Sequence, residues 1–98
     1  MILTQETFVC KPGNAGKMAK MCKEAMMGND PHVKYILTDM TGQYHRVIMQ
    51  SEYKDLADFE ESMKQMANPT PEMKAAMEKM GTMNEMYTTG GREIYKIW

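Results

Sequence analysis

The stretch from Leu37 to Tyr53, LTDMTGQYHRVIMQSEY, constrains the fold more than any other part of the chain. Two runs of strand-forming residues meet at Thr41-Gly42-Gln43, which predicts an antiparallel hairpin with Gly42-Gln43 at the centre of a type II′ turn. This register pairs residues whose numbers sum to 85. Tyr35 then faces Gln50, Leu37 faces Ile48 and Asp39 faces Arg46 on one side of the sheet. Ile36 faces Met49, Thr38 faces Val47 and Met40 faces His45 on the other. A slip of one residue would disturb these pairings, because successive side chains alternate between faces.

The flanking segments read in the same way. Ile2 to Cys10 mixes β-branched, aromatic and polar residues without a turn signal, and Lys11-Pro12-Gly13 stops it as a strand. Asn14 then caps a helix to about Met27, with Ala15, Met18, Met21, Cys22 and Ala25 on one face and Lys17, Lys20, Lys23 and Glu24 outside it. After Lys54-Asp55, a second helix repeats Leu56, Phe59, Met63 and Met66 and ends before Pro69. Thr70-Pro71 opens a third, on which Met73, Ala76, Met77, Met80, Met83 and Tyr87 continue across Gly81 until Gly90-Gly91 closes it. Arg92 to Trp98 is the expected last strand.

Strand, helix, strand, strand, helix, helix, strand is the order of an α+β, ferredoxin-like domain spanning residues 1–98: a four-stranded antiparallel sheet with helices on one face. The other face would expose Tyr35, Leu37, Ile48 and part of the last strand, and a second copy packed sheet to sheet would cover it. A homodimer is therefore expected. The size supports this, since a chain of 98 residues builds only a modest core by itself.

Charge and cysteine usage exclude several classes. Twelve basic and 13 acidic residues give a net charge of −1, without the basic footprint of a nucleic-acid or anionic-membrane binder. The start, Met1-Ile2-Leu3-Thr4-Gln5-Glu6, has no basic n-region or long apolar run, and no later stretch reaches the roughly 20 apolar residues of a spanning helix. A cytoplasmic protein is expected. Cys10 and Cys22 form no Cys-x-x-Cys pair, so buried free thiols are the expectation.

Lys11-Pro12-Gly13, the hairpin LTDMTGQYH, the helix opening at Leu56 to Phe59 and the final GGREIYKI together carry a resemblance along nearly the whole chain. It resembles the dimeric α/β-barrel superfamily that includes the NIPSNAP-like and antibiotic-biosynthesis-monooxygenase-like families. The resemblance implies two sheets closing into a barrel, with small molecules held between sheet and helices or inside it. None of the shared motifs is a catalytic signature. Haem-degrading members hold iron through a helical histidine, whereas His32 falls in a loop or strand start and His45 in the hairpin, so no cofactor is expected. The expected function is binding of a small, largely apolar molecule or dimer-based interaction; because cofactor-free oxygenases of the superfamily act on polycyclic phenols, the resemblance makes monooxygenation of an aromatic or phenolic substrate the alternative. RNA-recognition domains share the strand order, but GQYHRVIMQSEY lacks their aromatic pattern.

Three groups of residues are candidates for a site. Tyr35, Asp39, Arg46 and Gln50 share the face a partner would cover. If enclosed, Arg46 would hold a carboxylate or phenolate oriented by Asp39; otherwise Asp39 and Arg46 form a cross-strand ion pair at the rim. His45 is the strand histidine suited to proton transfer, or a structural one. With Tyr35 and Arg46 it completes the catalytic candidates. The third is methionine, 14 of the 98 residues. Met18-x-x-Met21-Cys22 and the run from Met73 to Met86 have the softness of Cu(I) ligands, but spacings of three and four belong equally to a core stripe. No metal is expected; a thioether-lined pocket would be adaptable and suit a small, flat apolar or aromatic ligand. Lys17, Lys20 and Lys23 on the first helix and Asp55, Asp58, Glu60 and Glu61 on the second would form a mutually attractive solvated surface.

Overall fold

The computed structural model describes residues 1–79, 81 and 83–98. Strand β1 (Ile2–Cys10) has the bounds that the sequence predicts. Helix α1 (Ala15–Cys22) opens into a π-helical turn, Lys23–Met27, so the helical segment ends where expected but its last turn is wider. Strands β2 (Val33–Thr38) and β3 (Arg46–Tyr53) follow, then α2 (Leu56–Ala67) and α3 (Pro71–Lys79). A 3₁₀ turn, Met83–Glu85, leads into β4 (Tyr87–Lys96). The four strands form one antiparallel sheet in the order β2-β3-β1-β4, the ferredoxin-like arrangement, in a slab 36 × 36 × 19 Å.

The hairpin keeps its expected register at Tyr35↔Gln50, Ile36↔Met49, Leu37↔Ile48 and Thr38↔Val47. Its turn differs. The ladder stops at Thr38, because the Asp39 carboxylate accepts the Arg46 backbone N–H at 2.7 Å in place of a strand carbonyl. Residues Asp39 to His45 form a loop rather than a two-residue turn, with Gly42 at φ 93° and His45 at φ 65°. The expected pair of Met40 and His45 is therefore not formed, and the His45 carbonyl instead accepts the Cys10 N–H at 2.7 Å.

The third helix is shorter than its methionine spacing predicts. It ends at Lys79; Met80 lies outside the described residues, and Met83 and Tyr87 belong to the 3₁₀ turn and to β4. Gly81 disfavours helix by about 1 kcal/mol relative to alanine, and Tyr87-Thr88-Thr89 is better used pairing with the otherwise open edge of β1. Gly90-Gly91 consequently lies inside the strand rather than closing a helix. A Cβ on Gly90 would stand 3.1 Å from the Thr7 carbonyl oxygen and 3.4 Å from the Phe8 ring.

The core is built from Cys10, Met18, Cys22 and Val47, with Phe8, Ala15, Ala19, Ile36, Met83, Met86 and Tyr87 packed around it. The α1 stripe is used as expected, with Met18, Cys22 and Ala25 buried. On α2 the stripe is shallow: Leu56 is 61% exposed and Ser62 is buried in its place. Lys17, Lys20 and Lys23 make no ion pair with the acids of α2 among the described residues; Glu60 pairs instead with Lys64 of its own helix.

Both cysteines are free and buried. Cys10 Sγ lies 3.4 Å from Met18 Sδ and Cys22 Sγ 3.9 Å from Met83 Sδ. Burial, with smaller contributions from Cys10 and Glu6, pushes the Cys22 thiol from 9.0 up to about 11. The folded chain then holds this proton more tightly than the unfolded chain. The stabilising contribution is complete below pH 9 and disappears as pH rises through about 11. Denaturation between these values should show falling stability, with a flatter decline in Cys22→Ala.

Candidate functional site

Side chains facing the helices form rows across the sheet. One row runs Thr38, Val47, Phe8, Gly90, and the next Ile36, Met49, Glu6, Arg92. Over the first, Val47 is sealed beneath α1, where Met18 is fully buried. The second is open. Above it is a cavity of about 240 Å³ walled by Met26, Met49, Met66, Met77 and Met83, with Phe8 and Glu6 on the sheet side.

The cleft continues in both directions. Toward the loop before β2, a space of about 130 Å³ shares Met26, Met66 and Met77 with the main cavity and ends at Asp30, His32 and Ser62. Toward β4, a space of about 290 Å³ shares Glu6 and Phe8 and is bounded by Tyr87, Gly90, Gly91 and Arg92. Elements from the whole chain position these walls: the π turn after α1 carries Met26, α2 carries Met66 and α3 carries Met77. Methionine has three rotatable bonds and no polar hydrogen, so such a wall adapts to its contents.

Each end of the cleft is polar. At one, Arg92 Nε donates to Glu6 Oε1 at 2.7 Å, and Arg92 Nη2 is ion-paired with the same oxygen. The Arg92 guanidinium also sits 5.5 Å above the Phe59 ring, with Nη1 3.8 Å from Met63 Sδ. At the other, His32 Nδ1 is 2.9 Å from Asp30 Oδ1, and Nε2 is 3.7 Å from Asp58 Oδ2. The imidazole stacks on Tyr53 at 4.4 Å, and Tyr53 meets Phe59 edge-on at 5.2 Å. Burial pushes the Tyr53 phenol up from its ordinary value. The chemistry available is a half-open apolar groove with a carboxylate at each end. Among the described residues, no group of three His, Cys, Asp or Glu side chains lies close enough to hold a metal ion.

The residues singled out in the sequence lie elsewhere. Tyr35 and Gln50 face each other on the opposite side of the sheet, where Tyr35 is 59% exposed and Gln50 donates to Gln5 Oε1 at 2.9 Å. Arg46 turns its guanidinium back to the loop, Nε donating to the Gln43 carbonyl at 3.2 Å. Asp39 meets the backbone of Arg46 rather than its side chain, so the anticipated cross-strand ion pair is not formed. His45 lies at the loop end beside Tyr44, with ring centroids 6.0 Å apart. None of these five side chains lines the three spaces of the cleft.

Glu6 and Arg92 were missed, although a signal exists for one of them. Alternation along Ile2–Cys10 sets Glu6 on the same face as Ile2, Thr4, Phe8 and Cys10, and a carboxylate on an otherwise buried face needs a partner. Arg92 becomes that partner through strand pairing, which no local pattern reveals.

No family model and no curated protein sequence matches this chain. Solved structures do. An uncharacterized NIPSNAP domain protein from Burkholderia xenovorans superposes with a TM-score of 0.81 at 13% identity, over 100% of this chain and 95% of that one. A NIPSNAP family protein from Agrobacterium tumefaciens gives 0.81 at 14% identity, over 99% and 92%. A protein from Nitrosomonas europaea, proposed to be an antibiotic biosynthesis monooxygenase, gives 0.67 at 14% identity, over 99% and 98%. At these identities the likeness is one of fold. It agrees with the ferredoxin-like architecture and the family resemblance read from the sequence. No helix among the described residues is long and apolar enough to cross a membrane.

Proposed function

We propose that the protein binds a small, largely apolar molecule in the cleft between sheet and helices, and that it acts as a homodimer of one-domain subunits. The observation that carries the first part is the 240 Å³ cavity bounded by five methionines, Met26, Met49, Met66, Met77 and Met83. That volume exceeds the ~150 Å³ of an apolar cavity able to take benzene. Two free cysteines, both buried, accord with a cytoplasmic location.

The dimer rests on the uncovered side of the sheet. Leu3, Thr7, Val9, Tyr35, Leu37 and Ile48 share that side, with Tyr95 beside Leu3 on β4. A slab only 19 Å thick holds the sheet and one helix layer, so among the described residues no helix covers this surface. A second sheet packed on it would enclose Tyr35, Gln50 and Arg46 and make them interface residues.

Met49→Trp tests the ligand reading, because the larger ring would occupy the space above the Glu6 row. The expected result is that the apolar fluorophore N-phenyl-1-naphthylamine binds the wild type saturably and binds Met49→Trp at least ~10-fold more weakly, with an unchanged circular dichroism spectrum. Equal binding by the two proteins would place the dye elsewhere and remove the proposal.

Cofactor-independent monooxygenation of an aromatic or phenolic substrate is the second reading, favoured by the likeness to the Nitrosomonas europaea protein. Oxygen uptake with a phenolic substrate, lost in Tyr35, His45 or Arg46 variants, would support it.

A further inference from the structure

The carboxylate inside the methionine cleft has half of its hydrogen-bonding capacity unused. Both contacts from Arg92, through Nε and Nη2, go to Glu6 Oε1. Glu6 Oε2 has no hydrogen-bond partner among the described residues. The Glu6 side chain is only 20% exposed and borders both the 240 Å³ cavity and the 290 Å³ space beside Gly90 and Gly91. No fully buried side-chain oxygen among the described residues lacks a partner, so Oε2 is open to the cleft, where a ligand donor can take the place of water on its remaining lone pairs.

We propose that Glu6 is a specificity determinant: it accepts a hydrogen bond from a neutral hydroxyl or phenol group on the bound molecule, whose apolar body lies against Met49 and Met66. Arg92 sets the charge preference. The Glu6 and Arg92 pair is already neutral as a unit, so an ammonium head group would find no net negative charge to compensate it. An anionic head group would meet Oε2, which can only accept. A neutral donor satisfies the carboxylate without burying a new charge. The geometry leaves room for such a group, because Gly90, paired with Phe8 in the row next to Glu6 and Arg92, puts no side chain on the helix-facing side of β4, and a space of about 290 Å³ opens there.

This inference rests on the cleft being the ligand site, and the test separates the two claims. Three probes of one ring system would be titrated against the full chain by fluorescence: 2-naphthol, its near-isostere 2-methylnaphthalene, and 2-naphthoate. The wild type is expected to bind 2-naphthol about 10-fold more tightly than 2-methylnaphthalene, and 2-naphthoate most weakly. In Glu6→Ala the advantage of 2-naphthol should vanish while binding of 2-methylnaphthalene persists. Equal wild-type affinity for 2-naphthol and 2-methylnaphthalene would overturn the role of Glu6 and leave the cleft as an apolar site. An advantage retained in Glu6→Ala would overturn it too. Failure of every probe to bind the wild type would overturn the cleft itself and this inference with it. Equal wild-type affinities overturn the role of Glu6 even where the variant folds poorly.

Discussion

Replacing Met18 by alanine is expected to destabilise the protein by about 3 kcal/mol and to lower its melting temperature by roughly 10–25 °C. Met18 is completely buried and sits in the cluster of Cys10, Cys22 and Val47. Its removal takes away the transfer energy of a long side chain and leaves a void between α1 and the sheet. Neighbours at this position are held by β1 and β3, so the site cannot collapse freely. The comparison that gives the result meaning is Met77→Ala on α3. Met77 is 47% exposed and borders a space that is already open, so its loss should cost less than about 1 kcal/mol. Thermal melts at one protein concentration would measure both, with concentration held fixed because association shifts the apparent stability. Equal effects would mean that the methionines of the cleft are packed as tightly as those of the core.

The second large effect is expected at Ile48. This residue lies on β3, an interior strand, with Leu37 on one side and Thr7 on the other, on the face without helices. Ile48→Asp would place a charge at the middle of the proposed sheet-to-sheet contact, where it has no partner. Leaving a charge buried and unpaired costs several kcal/mol, so dimer affinity should fall at least ~100-fold. Within one subunit the same aspartate faces solvent, and the fold should survive. Light scattering coupled to size exclusion should then show a wild-type mass of two chains and a variant mass of one, with matching far-ultraviolet circular dichroism. A single-chain mass for the wild type at the highest practical concentration would remove the homodimer.

These two positions show how unevenly the sequence speaks. Strand β1, the helical segment to Met27, the register of β2 on β3 and the strand order follow from alternation and punctuation. These are local rules: a proline, a cap or a period of two acts over a few residues. The hairpin turn was less legible, because the Asp39 side chain competes for the Arg46 N–H and ends the ladder early. The third helix misled for a related reason. Met83 and Tyr87 continue a helical spacing, yet they reach the core from a 3₁₀ turn and a strand. A hydrophobic period records that a residue is buried, not which element buries it.

The candidate site was the least legible part. The sequence pointed to polar residues near one turn, whereas the structure gathers its enclosed polar groups around methionines on the other side of the sheet. Glu6 and Arg92 are 86 positions apart and become neighbours only when β4 pairs with β1. By itself, the sequence determined a ferredoxin-like sheet, a methionine-rich helix layer and one sheet face left without cover, since period, charge and turn chemistry are properties of short segments. Tertiary structure alone decided which methionines fill the core and which line a cavity, and which carboxylate stands inside it, because packing depends on contacts between segments that no local pattern encodes.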